Sequence, residues 1–469
     1  MKRIKIPHEL QKMHEIFSEH GFSAYLVGGA VRDIVRGKTA SDWDVATNAT
    51  PQQVTDMFRR VIPTGIAHGT VTVHFMKREV EVTTFRTETG YSDGRHPDSV
   101  KFAATIEDDL SRRDFTMNAI AANLADGLIV DPFGGRDDIK ANVIRTVGNA
   151  DERFAEDGLR PIRALRFAAQ LGFSIDPATL AAVPRAKEKT AGVSIERFRD
   201  EFVKMLKAPQ PSLALRLMED TGMLRLFLPE LAACRGVEQA DARGFHRFDV
   251  LDHLLYACDG APARKLEVRL AALFHDAGKP AVKRTEIRER VSDRAGEPPP
   301  AETIYTFYNH ETVSASITKN VLERLRFPNA LTTAVCHLVK NHMFHYESSW
   351  TDAAVRRFLV RVTPQAVEDL FDLRIADVYG MTGVPPQLKN GVWSENLLEL
   401  KDRIDAITAQ NTALTLKDLA VNGADLIRAG IPAGKRLGHI LRELLDTVID
   451  DPKQNDRETL LRIAVNLNG

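Results

Sequence analysis

Asp42 and Asp44, one residue apart in Ser41-Asp42-Trp43-Asp44-Val45, are the first side chains of this sequence whose spacing suits chemistry. In an extended strand both fall on one face and Trp43 on the other. Two like charges aimed at one point repel unless a cation lies between them, and oxygen ligands so arranged suit Mg2+ bridging a nucleotide's phosphates. An isolated Asp-x-Asp is more often a solvated edge strand. The upstream sequence reverses those odds: a strand-like Ala24–Val27 runs into Gly28-Gly29, and residues 30–37 read as a helix with Arg32 and Asp33 in its first turn. Glycines let backbone N–H groups approach a phosphate, and the helix N-terminus adds partial positive charge. Glu79 and Glu81, on an expected strand over 79–85, are candidates for a third carboxylate, against the commoner reading of exposed strand acids.

Two arginine-rich segments follow. Arg112-Arg113-Asp114-Phe115-Thr116-Met117-Asn118-Ala119 gathers two cations, an acid and an amide, a set suited to gripping a triphosphate and a ribose. Asp131-Pro132-Phe133-Gly134-Gly135 reads as a tight turn that could act as a hinge. In residues 156–167, Asp157, Arg160, Arg163 and Arg166 recur at helical i, i+3 steps, with Leu159, Ile162, Leu165 and Phe167 as the buried side. An acceptor and a guanidinium one turn apart can hydrogen-bond the Watson–Crick edge of a base, so side chains could serve as the template. The arginines beyond would face phosphates.

A third set is dispersed: His253, the adjacent pair His275-Asp276, then His310, His342 and Asp377. A lone helical histidine is more often structural. The adjacent pair changes the reading, because neighbouring ligands at a helix end can bind a metal while later histidines and a distal acid close the shell.

The elements that must position these groups change character along the chain. Strand-like runs at 24–27, 42–47, 70–76 and 80–85 alternate with helices, giving a small mixed α/β head over residues 1–150. Beyond about residue 152 the pattern is helical to the end, interrupted by a charged stretch over 283–303 expected to be a mobile surface loop. The expected fold class is α+β: the head, an all-α neck over 151–235, a helical body over 236–385 and a helical tail over 386–469. The 469 residues suit about three domains at ~150 each. With 63 Lys+Arg against 64 Asp+Glu there is no global basic excess, so nucleic-acid binding must come from local patches. Cys234, Cys258 and Cys336 form no CxxC pair, which argues against a disulfide framework or a thiolate zinc site and for a reducing cytoplasm. No long apolar run is present, so a soluble, unexported protein is expected.

In order and in content, the motifs from residue 25 to about 206 resemble the class II tRNA nucleotidyltransferase and bacterial poly(A) polymerase family. The resemblance implies that Asp42 and Asp44 hold the catalytic Mg2+ and that Gly29, Arg32, Arg113, Asp114 and Asn118 bind nucleotide. It further implies that Asp157 and Arg160 read the incoming base with Arg163 and Arg166 supporting. Residues 86–100 look like the family's flexible loop, which argues for terminal A addition. Ser194-Ile195-Glu196-Arg197-Phe198-Arg199-Asp200-Glu201 resembles the last family motif, a structural helix start capped by Ser194. The order of His253, His275, Asp276, His310, His342 and Asp377 resembles the HD metal-phosphohydrolase superfamily, implying an intact site for Mn2+, Ni2+, Mg2+ or Fe. The implied substrates are CTP, ATP and tRNA, with no membrane partner; the HD domain implies phosphatase or phosphodiesterase activity. The Gly-punctuated turns at 422–426 and 430–438 resemble the family's tRNA-holding tail. The alternatives are an A-adding enzyme, a poly(A) polymerase, and an HD hydrolase with a sensory head.

Overall fold

The computed structural model describes residues 2–40, 42–66, 69–89, 99–239, 247–289, 301–410 and 413–468. It divides into two compact units, Met1–Pro229 and Glu230–Gly469, so the boundary falls inside the segment expected to be the neck.

The first unit is built on a seven-stranded sheet. Its strands are β1 (Ala24–Val27), β2 (Trp43–Thr47), β3 (Val61–Gly65), β4 (Thr70–Phe75), β5 (Arg78–Thr84), β8 (Ala121–Asn123) and β9 (Ile129–Val130), with β6 (Arg86–Thr89) and β7 (Ser99–Phe102) forming a separate two-stranded ribbon. The order is β3-β4-β5-β2-β1-β8-β9, and β2 runs parallel to β5 while the other pairs are antiparallel. Alternation puts Val80 and Val82 of β5 in the core and leaves Glu79 and Glu81 on the other face. Residues 91–97, which carry the flexible-loop resemblance, lie outside the described residues.

β2 begins at Trp43, so Asp42 stands one residue ahead of the strand instead of inside it. The cause is β1. Val27 is the last β1 residue, paired with Asp44, and Gly28 then turns away at φ 69°, leaving Asp42 no partner on that side. The same turn starts the helix Gly29–Val35.

The helix Leu159–Leu171 follows. It buries Ile162, Ala164, Leu165 and Phe167 and ends at Gly172 in the left-handed conformation. Gly158 is required at its start by a close approach, since a Cβ there would lie 2.5 Å from the Lys189 carbonyl oxygen. Asp157 is not on this helix; it caps the C-terminus of the preceding helix Ala150–Glu156 in an extended conformation. The helix Ile195–Leu206 packs by Phe198, Phe202 and Met205, with Phe198 stacked on Phe227 at 3.9 Å between ring centroids. Ser194 precedes it without donating or accepting a capping bond, contrary to expectation.

Among its described residues the second unit is helical apart from one pair of strands. Arg284–Glu289 and Ala301–Thr306 pair antiparallel where a loop was expected. Thr285, Ile287, Thr303, Ile304 and Tyr305 give these segments β propensity that the interspersed charges mask in sequence. Residues 290–300 lie outside the described residues. The tail has its own apolar core of Leu419, Val421, Leu426, Ile440, Leu444, Val448 and Leu460.

Candidate functional sites

A cleft of roughly 660 Å³ in the first unit gathers nearly all the residues singled out in the head and neck. Gly29, Arg32, Asp44, Arg113, Asp114, Asn118, Asp157, Arg160, Arg163 and Arg166 all line it. Asp42 does not; it is exposed beside Asp44.

Asp44 faces a third carboxylate. Parallel pairing sets it at the register position of Glu81, which also lines the cleft. Burial, then the neighbouring Glu81 charge, push the Asp44 pKa up to about 6; Arg113 opposes the shift and Asp42 adds to it. A carboxylate so penalised in its charged form is one that a divalent cation would relieve, so the donor set fits Mg2+. Glu79, by contrast, is 73% exposed and pairs with His74 at 3.5 Å.

Asp109 holds the arginine pair, a role its sequence position did not announce. Fully buried, it accepts from Arg112 Nη2 at 2.7 Å and from Arg113 Nη2 at 3.1 Å. Burial raises its pKa, but the Arg113 and Arg112 charges outweigh burial and hold it below the ordinary range. The spacing of three and four residues within one helical turn was the available signal. Gly28 is shaped by the same arginine: a Cβ would lie 3.1 Å from Arg113 Nη1 and 3.5 Å from Asp44 Oδ2.

Further in, Arg32 Nη1 donates to Asn118 Oδ1 at 3.0 Å, Asn118 Nδ2 donates to Asp114 Oδ1 at 3.2 Å, and Arg163 Nε donates to Asp114 Oδ2 at 2.8 Å. Burial disfavours the Asp114 charge, yet Arg163, Asn118 and Arg160 bring its pKa down to about 2. Arg166 is 4% exposed, stacks over Phe167 at 3.6 Å, and donates to Glu201 and Gln170. Arg163 and Arg166 therefore line the cleft with guanidiniums committed to protein acceptors, where sequence spacing had suggested phosphates.

The expected base-reading pair is held from two sides. Asp157 Oδ1 accepts from the Leu159 N–H at 2.9 Å and Oδ2 from Arg197 Nη2 at 2.7 Å. Arg160 donates to Glu156, to the Arg153 carbonyl at 3.0 Å and to the Arg112 carbonyl at 3.0 Å. Arg197, Glu201 and Lys204 were not assigned a site role from sequence, although Arg197 and Glu201 sit inside a motif quoted there. The turn over 131–135 caps a helix, Asp131 accepting from the Gly135 and Arg136 N–H groups at 2.7 and 3.0 Å.

In the second unit His253, His275, Asp276, His310, His342 and Asp377 come together, all buried. His253 lies on Val250–Gly260, His275-Asp276 end Leu266–Phe274, His310 opens His310–Arg324, His342 ends Asn329–Asn341 and Asp377 lies on Val367–Thr382. His275, His310 and His342 each set Nδ1 at 2.7–2.9 Å from a backbone carbonyl, those of Ala272, Phe307 and Val339. A carbonyl only accepts, so each Nδ1 carries a proton and, in the neutral ring, Nε2 is left with the lone pair that a metal ligand needs. His253 and His275 Nε2 lie 3.0 Å apart, and His310 and His342 Nε2 3.3 Å apart. Asp276 sits between the pairs, with Oδ2 3.2 Å from His253 and 3.3 Å from His275, and Oδ1 3.1 Å from His310. Lys279, 7% exposed, steadies it at 2.6 Å. Burial works against charge on His275, but Asp276 and Asp377 override it and push its pKa up to about 10, so without an ion its Nε2 also holds a proton, which a bound cation would displace. His253, His275 and Asp377, and likewise His275, Asp276 and His342, are close enough to share an ion.

Residues 24–145 match the poly(A) polymerase head domain, residues 172–235 the RNA and SrmB-binding site of polymerase A, and residues 303–464 the tRNA nucleotidyltransferase domain 2. The CCA-adding enzyme of Geobacillus stearothermophilus is 34% identical over 447 residues, 94% of this chain and 92% of the relative. This chain belongs to the CCA-adding enzyme family. The CCA-adding enzyme of Limosilactobacillus fermentum is 33% identical over 99% of this chain and 98% of its own length. The crystal structure of the Bacillus stearothermophilus CCA-adding enzyme in complex with CTP aligns with a TM-score of 0.72 at 30% identity, covering 98% of this chain and 97% of that one. The family fold of a sheet-based head and a helical body is the one observed here. Among the described residues no helix is long and apolar enough to cross a membrane.

Proposed function

We propose that the chain rebuilds the 3′ end of tRNA, adding C, C and A from CTP and ATP with protein side chains in place of a nucleic-acid template. The observation that carries this reading is one cleft with the Asp44–Glu81 carboxylates and the Asp157–Arg160 acceptor–donor pair both in its wall. Membership of the CCA-adding enzyme family and the likeness to a relative solved with CTP support it.

Asp42 and Asp44, with Glu81 beside them, are the residues that would hold Mg2+. When bound, the cation lowers the pKa of the RNA 3′-hydroxyl and neutralises phosphate charge. Arg113, fixed by Asp109, and the Gly28-Gly29 turn at a helix N-terminus with Arg32 receive the triphosphate. Asp157 accepts from the exocyclic amino group that cytosine and adenine share, and Arg160 donates to the adjacent ring nitrogen. Arg163 and Arg166 brace the helix through Asp114 and Glu201. The 3′-hydroxyl attacks the α-phosphorus, the bond to the bridging oxygen breaks, and pyrophosphate leaves. The tail turns, with exposed Lys435 beside a helix start, are the proposed backbone grip on tRNA.

A second activity is favoured by the histidine cluster. His253, His275, Asp276, His310, His342 and Asp377 would hold a divalent transition metal or Mg2+, and the proposed chemistry is hydrolysis of phosphate esters at damaged RNA ends. A cytoplasmic location is proposed with it.

The test is incubation of the protein and Mg2+ with tRNA ending before CCA, in C, or in CC, with CTP, ATP or both, and products resolved at single nucleotides. Addition of three nucleotides to the first substrate is expected. Extension of only the CC-ended tRNA by one A would instead make it an A-adding enzyme, long A tails a poly(A) polymerase, and no extension would overturn the transferase reading.

A further inference from the structure

The helix Ile195–Leu206 is the least explained part of the cleft, because nothing about transferring a nucleotide requires it. It nevertheless holds both ends of the base-reading segment. Arg197 Nη2 donates to Asp157 Oδ2 at 2.7 Å, and one turn on Glu201 accepts from Arg166 and lies 3.8 Å from Arg163 Nη1. Phe198 and Phe202 anchor the helix, stacked on Phe227 and on each other. Arg197 thus projects from an anchored helix toward a residue that lies in neither flanking helix, and among the described residues the other hydrogen bond to the Asp157 carboxylate comes from the Leu159 N–H.

We propose that Arg197 is a positioning residue for base selection, fixing the place of the Asp157 acceptor so that the cleft takes CTP and ATP and refuses UTP and GTP. This rests on the reading that Asp157 and Arg160 face the incoming base. Cytosine and adenine each present an amino donor where uracil and guanine present a carbonyl oxygen. An ionised carboxylate accepts from the first pair and repels the second only while it is held at that edge. The Oδ1 bond to Leu159 leaves the carboxylate free to swing about one oxygen; the Arg197 bond removes that freedom. Arg160 does not replace Arg197: Nη1 is taken by Glu156 and the Arg153 carbonyl and one Nη2 N–H by the Arg112 carbonyl, and the remaining Nη2 N–H is the donor proposed for the base.

The experiment measures single-nucleotide kcat/KM for all four nucleoside triphosphates on tRNA ending before CCA, in C and in CC. Wild type, Arg197→Met, Arg197→Lys, Asp157→Asn and the Asp157→Asn/Arg197→Met double variant are compared. Arg197→Met is expected to lower the preference for CTP over UTP, and for ATP over GTP, by about tenfold, the worth of a good side-chain contact to a base edge. Arg197→Lys, which keeps one donor, should recover part of it. In the Asp157→Asn background the Arg197 change should alter the preference no further. A uniform fall for all four nucleotides with the preference intact would make Arg197 merely structural and overturn the proposal, as would equal effects of Arg197→Met with and without Asp157. If Asp157→Asn itself leaves the preference unchanged, the base-reading assignment fails, and that pattern differs from one in which only the Arg197 variants are silent.

Discussion

Replacing Asp44 by Asn should abolish nucleotide addition and at the same time make the metal-free protein more stable at neutral pH. In the fold the Asp44 pKa rises from 3.8 to about 6, through burial first and Glu81 second. A carboxyl group whose folded pKa lies above its unfolded value binds more protons when folded, so stability falls as pH rises through that window. The penalty is absent below about pH 4, grows between pH 4 and about 7 and is complete above. About two pH units at ~1.4 kcal/mol each give roughly 3 kcal/mol, and partial solvent access trims this to about 2 kcal/mol. For a unit of this size that corresponds to a transition roughly 4–8 °C higher. Arg113 keeps its Asp109 partner in the variant, so no new orphan charge arises. The assay is thermal unfolding of wild type and Asp44→Asn with chelator at pH 5, 6, 7 and 8, repeated with Mg2+. The gap should widen from pH 5 to 7 and then stay level, and Mg2+ should stabilise the wild type more than the variant. An Asp44→Asn transition equal to or below that of wild type at pH 8 would refute the reasoning.

Gly28→Ala should cut activity more than tenfold while costing only about 1 kcal/mol in urea unfolding, because a Cβ at φ 69° strains the backbone and meets Arg113 Nη1 at 3.1 Å. Glu201→Gln leaves the buried Arg166 charge without its counterion, so urea unfolding should show a loss of about 3–5 kcal/mol; a loss under 1 kcal/mol would contradict the burial argument. Asp114, held down to about 2 mainly by Arg163 against burial, contributes about 2 kcal/mol that is present above pH 4 and lost as pH falls toward 2, and Asp114→Asn should flatten this part of the acid unfolding curve. After dialysis without chelator, elemental analysis should find metal retained in wild type and lost from His253→Ala, while Asp44→Asn retains as much as wild type.

What the sequence made legible was local. Asp44, Arg113, Asp157 and Arg160 belong to short motifs, and the cleft gathers them because β1, β2 and the following helices bring those motifs to one place. The six scattered histidines and aspartates converge because each sits at a helix end or on an inward face. Partnerships across long separations were not legible. Arg163 and Arg166 looked like a phosphate-facing stripe because the i, i+3 spacing reports which residues share a face, not which acceptor lies opposite; Asp114 is 49 residues away and Glu201 is 35. Asp42 was placed on β2 because periodicity cannot see that Gly28 ends the neighbouring strand. The strands 284–289 and 301–306 fell largely within a loop expected over 283–303 because charge density outweighed β propensity.

The two proposed metal sites treat their ligands in opposite ways. At the cleft, Asp44 and Glu81 are paired by strand register, and although Arg113 opposes the effect, Asp44 is left reluctant to ionise. Mg2+ dehydrates reluctantly and is commonly held by one or two carboxylates together with substrate phosphates, so a site of this kind gains its full ligand set only when a nucleotide arrives. On the proposed reading, a triphosphate whose base is refused at Asp157 leaves before the shell is complete. In the second unit the donors are complete without any substrate. Backbone carbonyls orient three Nε2 atoms, and Lys279 holds Asp276 between the histidine pairs. That arrangement suits a resident ion, and a resident ion suits hydrolysis, where water is always present and no choice among four bases has to be made.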